Sequence, residues 1–202
     1  MNIDVANCNA TNPKYPITVF DKDWVYGVWY CGTAWDRVRL HGQYPPNFLR
    51  RALALFPEAK RILHCPSGTI IGNDITVDRV RCSIRKPQIV ADASALPFPN
   101  NYFDLYLSDP PYTADDSARY GCAPYPLGKA MKEAHRVLKV GGHLGMLHTY
   151  YPRYRRKDWT LRGLIAVVTG FLRATRIFSI FEKLATKDDD SHPENPLPSV
   201  QE

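Results

Sequence analysis

Two rhythms of apolar and polar positions run along this chain, the two-residue repeat of strands and the three-to-four-residue repeat of helices. Residues 1–20 carry neither: they are polar and punctuated by prolines, which predicts an irregular arm. Residues 21–44 are rich in glycine and aromatics (Trp24, Tyr26, Trp29, Tyr30, Trp35, Tyr44) and read as a lid or packed loop covering the core. Pro45-Pro46 then opens a helix over 47–56, since proline suits a first helical turn and Phe48, Leu49, Leu53 and Phe56 recur at helical spacing. Apolar runs predict five strands, over 61–65, 75–78, 88–93, 103–108 and 143–148. A helix over 129–138 puts Ala130, Ala134, Val137 and Leu138 on one side, and Gly141-Gly142 is read as its terminating turn. Residues 164–168 and 175–181 read as a strand pair joined around Gly170. From Lys187 onward the chain is acidic, polar and proline-rich, which predicts a disordered tail.

Strands interleaved with helices predict an α/β fold with a mostly parallel sheet, and the last two strands predict an antiparallel hairpin. One spacing departs from that scheme. Only seven residues, 67–73, precede the second strand, and a parallel crossover usually takes a dozen or more. The crossover helices between the first three strands are therefore expected to be shortened.

Composition narrows the class. The chain has 202 residues, 45% of them hydrophobic, enough for one α/β domain with a sizeable core. No apolar run is long enough to span a membrane, and the first residues lack the basic start and apolar core of a signal peptide. The five cysteines (Cys8, Cys31, Cys65, Cys82, Cys122) are scattered and odd in number, which argues for reduced thiols in a cytoplasmic protein and against a zinc site or disulfide framework. The formal net charge of +6 suits a polyanionic partner. Basic residues concentrate late in the chain. Around Tyr150 and Tyr151, the residues Arg153, Arg155, Arg156 and Lys157 interleave cations with aromatics, a pattern that can track phosphates and stack on bases or simply form a solvated loop.

The most informative residues are Asp109-Pro110-Pro111-Tyr112, directly after the predicted strand 103–108. They place a carboxylate, a rigid turn and an aromatic ring at the carboxyl end of a strand, the edge where open α/β sheets bind ligands. An exocyclic amine on a base is a poor nucleophile because its lone pair is delocalised into the ring. A carboxylate and a nearby carbonyl that accept its N–H hydrogens free that lone pair and stabilise the charge that develops on nitrogen. Asp109 and the Pro110 carbonyl are the expected acceptors, Pro111 completes a turn with no N–H of its own, and Tyr112 is the expected stacking platform. An ordinary strand-to-loop turn is the plain alternative.

This motif resembles the D-P-P-Y motif of class I S-adenosylmethionine-dependent methyltransferases that methylate base amines. Residues 90–104 resemble that family's third strand, adenine-binding loop and lead into the fourth strand, and residues 132–142 resemble the helix before its fifth strand. The resemblance spans roughly residues 43–183. It implies a Rossmann-like methyltransferase sheet over 45–185, preceded by the arm and lid (1–44) and followed by the tail (186–202). It implies S-adenosyl-L-methionine as cofactor and no metal. The implied cofactor residues are Cys65, Ser67 and Gly68 in the glycine turn, Asp78 (with Asp74 as the weaker choice) on the ribose, Asp92, Ala93 and Leu96 at the adenine, Asp109, and Gln43 and Tyr44 in the segment Gly42-Gln43-Tyr44-Pro45-Pro46 at the methionine end. The glycine turn departs from the family pattern, with one glycine and no acid. The implied substrate is a nucleobase amine, adenine N6 in DNA before cytosine N4, held by Tyr112, Arg119, Tyr120, Tyr151, Arg153, Arg155, Arg156 and Lys157. An RNA base, a small molecule, and a catalytically inactive binding module stay open. No target-recognition domain is visible, which suggests a homodimer or a small partner subunit.

Overall fold

The computed structural model describes residues 1–13, 16, 18–22, 24–32, 43–83, 85–119, 121–170 and 173–186. Trp35, Gly42, Tyr120 and the tail from Lys187 lie outside the described residues.

The amino-terminal arm is not irregular. Helix α1 (Val5–Ala10) starts where the Asp4 carboxylate accepts the Asn7 N–H at 2.8 Å, and it turns Cys8 into the core. The aromatic stretch is not a loop-like lid either. Strands β1 (Thr18–Asp21) and β2 (Trp24–Tyr30) form an antiparallel hairpin, and β2 continues the main sheet by pairing in parallel with a late strand. Alternation decides this. Val25 and Trp29 are buried on one face, where the Trp29 indole N–H donates to the Thr18 hydroxyl at 2.6 Å.

Helix α2 (Phe48–Ala54) comes after Asn47, whose left-handed backbone (φ 61°) starts the turn. Three short strands come next: β3 (Ile62–His64), β4 (Ile75–Asp78) and β5 (Ile89–Val90). Among the described residues no helix connects them, as the spacing predicts. Strand β6 (Phe103–Ser108) leads to α3 (Ala114–Arg119), so Arg119 ends a helix and does not sit in a loop. Helix α4 (Leu127–Val137) passes straight into β7 (Leu138–His148). Gly141 and Gly142 are therefore inside a strand, not a helix cap. A Cβ at Gly142 would stand 2.9 Å from the Lys139 carbonyl and 3.0 Å from that of Asp104, so close backbone approach requires glycine there. Strands β8 (Trp159–Val168) and β9 (Arg176–Lys183) are antiparallel, as expected.

The nine strands form one sheet in the order β1-β2-β8-β9-β7-β6-β3-β4-β5. Only β1 and β9 run against their neighbours. Two cores lie on opposite faces. One packs Ala130, Met131, Ala134 and Val137 of α4 against Tyr106, Leu144 and Phe181. The other packs Phe48 and Ala52 of α2 against Trp29, Leu105, Phe178 and Ile180.

Gly145 lies at the centre of the second core. A Cβ there would stand 2.7 Å from Leu107 Cδ2 and 2.8 Å from the Phe178 ring. Gly145→Ala is expected to destabilise the fold by about 1–3 kcal/mol through overpacking. Denaturant unfolding checks this: the midpoint should fall with the slope unchanged, and an unshifted midpoint would show that the ring and Leu107 repack without strain.

Candidate active site

Strand order reverses between β3 and β6: β3 leads outward to β4 and β5, whereas β6 leads to β7. Such a reversal opens a crevice at the carboxyl ends of the strands. A cleft of about 750 Å³, its open mouth included, lies there. Cys65, Gly68, Asp78, Asp92, Ala93, Asp109 and Pro111, all named from the sequence, line it.

The turn after β3 is held from β4. Gly68 adopts a left-handed backbone (φ 56°), and its N–H donates to the Asp78 carboxylate at 3.1 Å. The Ser67 N–H donates to the Val77 carbonyl at 2.9 Å. Asp78 thus ends β4 against the only glycine of this turn, and its second oxygen accepts the Val80 N–H at 3.3 Å. Ser67 does not line the cleft. It is buried, and its hydroxyl has no hydrogen-bond partner among the described residues. Burial pushes the Cys65 thiol up to about 12, which keeps it neutral. Asp74 faces away from this role, pairing with buried His64 at 3.0 Å, where desolvation lowers the imidazole's proton affinity against the pull of the carboxylate.

After β5 the chain bends back on itself. Asp92 accepts the Ser94 hydroxyl at 2.7 Å and the Ser94 N–H at 2.8 Å, and these bonds hold its carboxyl below the usual carboxylate range. Leu96 packs into the core instead of lining the cleft. Its loop is clamped from α4: Glu133 accepts the Leu96 N–H at 2.7 Å, while Arg136 donates to the carbonyls of Leu96 (2.9 Å) and Phe98 (2.7 Å).

Asp109 stands directly after β6 with its side chain 11% exposed. Desolvation pushes its carboxyl up to about 6, against the opposing pull of Arg176 and of the Tyr112 hydroxyl. Tyr112 donates that hydroxyl to Asp109 Oδ1, and Arg176 Nη1 lies 3.9 Å from Oδ2. Tyr112 is not the free platform expected of it. The Arg176 guanidinium lies over its ring at 5.3 Å, and the His148 ring lies 4.9 Å away. Pro110 is buried and is not among the residues that line the cleft. Tyr44 lies outside the cleft lining, stacked on Phe48 at 5.2 Å. Burial first and then the charge of Asp109 raise the proton affinity of its phenol, and the hydroxyl has no partner among the described residues. Gln43 precedes it, half-buried and also outside the lining.

The basic residues are not brought to the cleft lining. Arg153, Arg155, Arg156, Lys157 and Tyr151 are exposed on the segment between β7 and β8, with Arg155 paired to Asp158 at 2.5 Å. Arg119 is exposed and 3.8 Å from Asp116. Sequence reasoning missed Arg79, Val80, Arg85, Cys122, Ala123 and Tyr125 in the lining, and missed Arg176 beside Asp109. Arg176 begins β9, and only the antiparallel pairing of β9 with β7 (His148 opposite Ile177) carries it there.

Residues 55–146 match the model of a family described as a methyltransferase domain. A curated relative, the chloroplastic 2-methyl-6-phytyl-1,4-hydroquinone methyltransferase of Spinacia oleracea, is 32% identical over 100 residues. That match takes in 50% of this chain and 25% of the relative, so the chain spans about a quarter of that protein's length. Among solved structures, TrmN from Thermus thermophilus aligns with a TM-score of 0.47 at 18% identity, over 72% of this chain and 51% of that one. The putative methyltransferase yhhF from Escherichia coli aligns with a TM-score of 0.49 at 12% identity, over 84% of this chain and 99% of that one. The family match runs from the end of α2 through most of β7, the part of the sheet that builds the cleft. The mostly parallel sheet with its antiparallel hairpin is consistent with a Rossmann-like methyltransferase fold, the matched residues are similar to a methyltransferase domain, and S-adenosyl-L-methionine is the methyl donor that this likeness implies. The cleft fits that group. Carboxylates at the ends of β4 and β5 suit hydroxyl and amine donors, and the unpartnered buried hydroxyls of Ser67 and Tyr44 lie toward the β3 turn and Asp109. Among the described residues no helix is long and apolar enough to cross a membrane.

Asp92→Ala is expected to raise the dissociation constant for S-adenosylmethionine about tenfold, or about 1.4 kcal/mol. Isothermal calorimetry measures it, and an unchanged constant would remove Asp92 from the adenine end. Asp109 gives a second expectation. Its folded-state pKa is raised to about 6, so its stabilising contribution is complete below about pH 4 and disappears as pH rises through 6. Asp109→Asn should therefore match the parent protein near pH 4 and exceed it by about 2–3 kcal/mol above pH 7. Parallel stability–pH curves would show that Asp109 is solvated in the folded state.

Proposed function

We propose that the protein transfers a methyl group from S-adenosylmethionine to an exocyclic amine of a nucleobase, with adenine N6 in DNA the best-fitting target and cytosine N4 the next. The observation that carries this reading is the placement of Asp109: a mostly buried carboxylate lining the same cleft as Asp78 and Asp92, followed by two residues without an N–H. Bound S-adenosylmethionine supplies an electrophilic methyl group on a sulfonium. The chain supplies the acceptors. Asp109 Oδ2 and the Pro110 carbonyl accept the two amine hydrogens, release the lone pair, and stabilise the charge that appears on nitrogen. Tyr112 acts through its hydroxyl, fixing Asp109 Oδ1. Arg176 opposes the desolvation of the same carboxylate and so keeps it ionised at neutral pH. No general base is required, since the proton leaves after methyl transfer.

Because Arg176 lies over the Tyr112 ring, base stacking falls to Tyr150 and Tyr151, which are 50% and 51% exposed just after β7, with the Tyr150 ring 4.1 Å from that of His148. Arg153, Arg156 and Lys157 come next in the chain and suit a phosphate backbone. A duplex base would have to be flipped out to reach Asp109.

One observation favours a second reading. The spinach relative is named for a hydroquinone substrate, and a small aromatic molecule needs neither base flipping nor a basic segment.

Purified protein, labelled S-adenosylmethionine and separate pools of duplex DNA, single-stranded DNA, total RNA and hydroquinones test both readings, with the methylated product identified by mass spectrometry. N6-methyldeoxyadenosine is the expected product. Label confined to RNA would move the target to an RNA base, and label confined to a hydroquinone would replace this reading by the second. Asp109→Ala should lower turnover about 10²–10³-fold or more while the cofactor dissociation constant changes less than about threefold. Retained turnover in that variant would remove Asp109 from the chemistry.

A further inference from the structure

Among the described residues, one face of the sheet is covered only in part. On the side where α4 packs, residues 149–158 cross from β7 to β8 without forming a helix, and they shield only part of the strands beneath. Tyr154 packs on the Phe181 ring at 5.1 Å, over β9. Beyond it, among the described residues, no helix lies over the β8–β2–β1 end of this face. Register fixes which side chains point there. Tyr26, Val28 and Tyr30 of β2 stand opposite Leu164, Ala166 and Val168 of β8, and Val19 of β1 stands opposite Tyr26. Val19, Trp24, Tyr26, Val28 and Tyr30 are each 43–47% exposed.

We propose that this face is a homodimer interface, occupied by the same face of a second copy of the chain. Charge points to that occupant. Among the described positions that face this way, those of β2 and of residues 164–168 carry no charged side chain, and Asp21 of β1, opposite Trp24, adds an acid at the edge, on a chain with a net charge of +6. Two copies of a basic chain repel one another over most of their surface and approach at least cost across a patch that carries no cations. Nucleic acid would call for cations on the patch itself, and Arg153, Arg156 and Lys157 lie instead on the crossing segment.

Area points the same way. Three half-exposed aromatic rings with their neighbouring valines leave on the order of 500 Å² of apolar surface, near the upper end of what a monomer exposes. A two-fold pair would bury about 1,000 Å², which reaches the lower bound for a specific interface. A sheet face is self-complementary under a two-fold axis, since identical patches meet and the two sheets pack about 10 Å apart. Trp and Tyr at its centre are the residue types that dominate such contacts. Paired copies would also present two basic crossing segments on one assembly, which enlarges the surface available to a substrate beyond what a chain of this size offers alone.

Sedimentation equilibrium of the full chain, from 1 to 100 μM, tests the interface. The expected mass is twice the 23.0 kDa of one chain at the upper concentrations. Val28→Lys and Tyr30→Lys should each weaken association at least tenfold, while Val140→Lys, an equally exposed valine on β7, should leave it unchanged. Cofactor affinity within twofold of the parent protein would certify that each variant is folded. A monomer at 100 μM overturns the proposal, as does a dimer indifferent to both lysine substitutions. A monomer whose affinity for a fluorescent single-stranded oligonucleotide drops in Trp24→Ala would reassign the face to nucleic acid, and it would do so without touching the methyl-transfer reading.

Discussion

The cleft exists because two adjacent parallel strands send their chains in opposite directions. β3 and β6 are paired residue for residue, Ile62 with Leu105 and His64 with Leu107, yet the chain leaving β3 runs to one edge and the chain leaving β6 runs to the other. The residues directly after each strand must therefore face the gap. On one side that is the Cys65-to-Gly68 turn, and on the other it is Asp109. Neither group is drawn to the cleft by a ligand; the hydrogen-bond ladder of the sheet brings them there, and β4 and β5 add Asp78 and Asp92 along the same edge.

Holding these groups still falls to side chains that never touch the cleft. Glu133 and Arg136, one helical turn apart on α4 and paired to each other at 2.6 Å, fix the loop after β5 through three backbone contacts. Asp104 does the same at the opposite end of the sheet, accepting the N–H groups of Lys60 and Arg61 and the Lys139 ammonium at 2.8–3.0 Å. These charged groups are partly shielded and each satisfies more than one donor or acceptor, which is where charge-assisted hydrogen bonds contribute most.

How much of this could be read from the sequence depended on contrast. β4 and β6 were legible because apolar runs end abruptly in an acid or a proline turn, and the place of Asp109 was legible because it ends such a run at the carboxyl edge of a strand. β2 was not, because its exposed face (Trp24, Tyr26, Val28, Tyr30) is as apolar as its buried one, so the two-residue rhythm has no polar beat. The glycine pair of β7 reads like a helix stop, and only the nearby carbonyls of Lys139 and Asp104 explain why a strand needs it. Arg176 was invisible for another reason: it lies 67 residues after Asp109, and no local pattern reports a contact made by antiparallel pairing across β7. The placement of the basic run at 153–157 was not legible either, since nothing in its composition says that it crosses the sheet instead of bordering the cleft.

The strands divide unequally between the two halves of the sheet. β3, β4 and β5 have three, four and two residues, whereas β7, β8 and β9 have eleven, ten and eight. Few ladder rungs, and among the described residues no connecting helix, make the first group the cooperative unit that opens most readily, while the long central strands persist. A ligand seated between Gly68, Asp78 and Asp92 closes that unit by mass action, in proportion to its free concentration. Proteases that cut opened chains sample the same equilibrium. Occupancy of this edge of the sheet therefore sets how long each molecule survives.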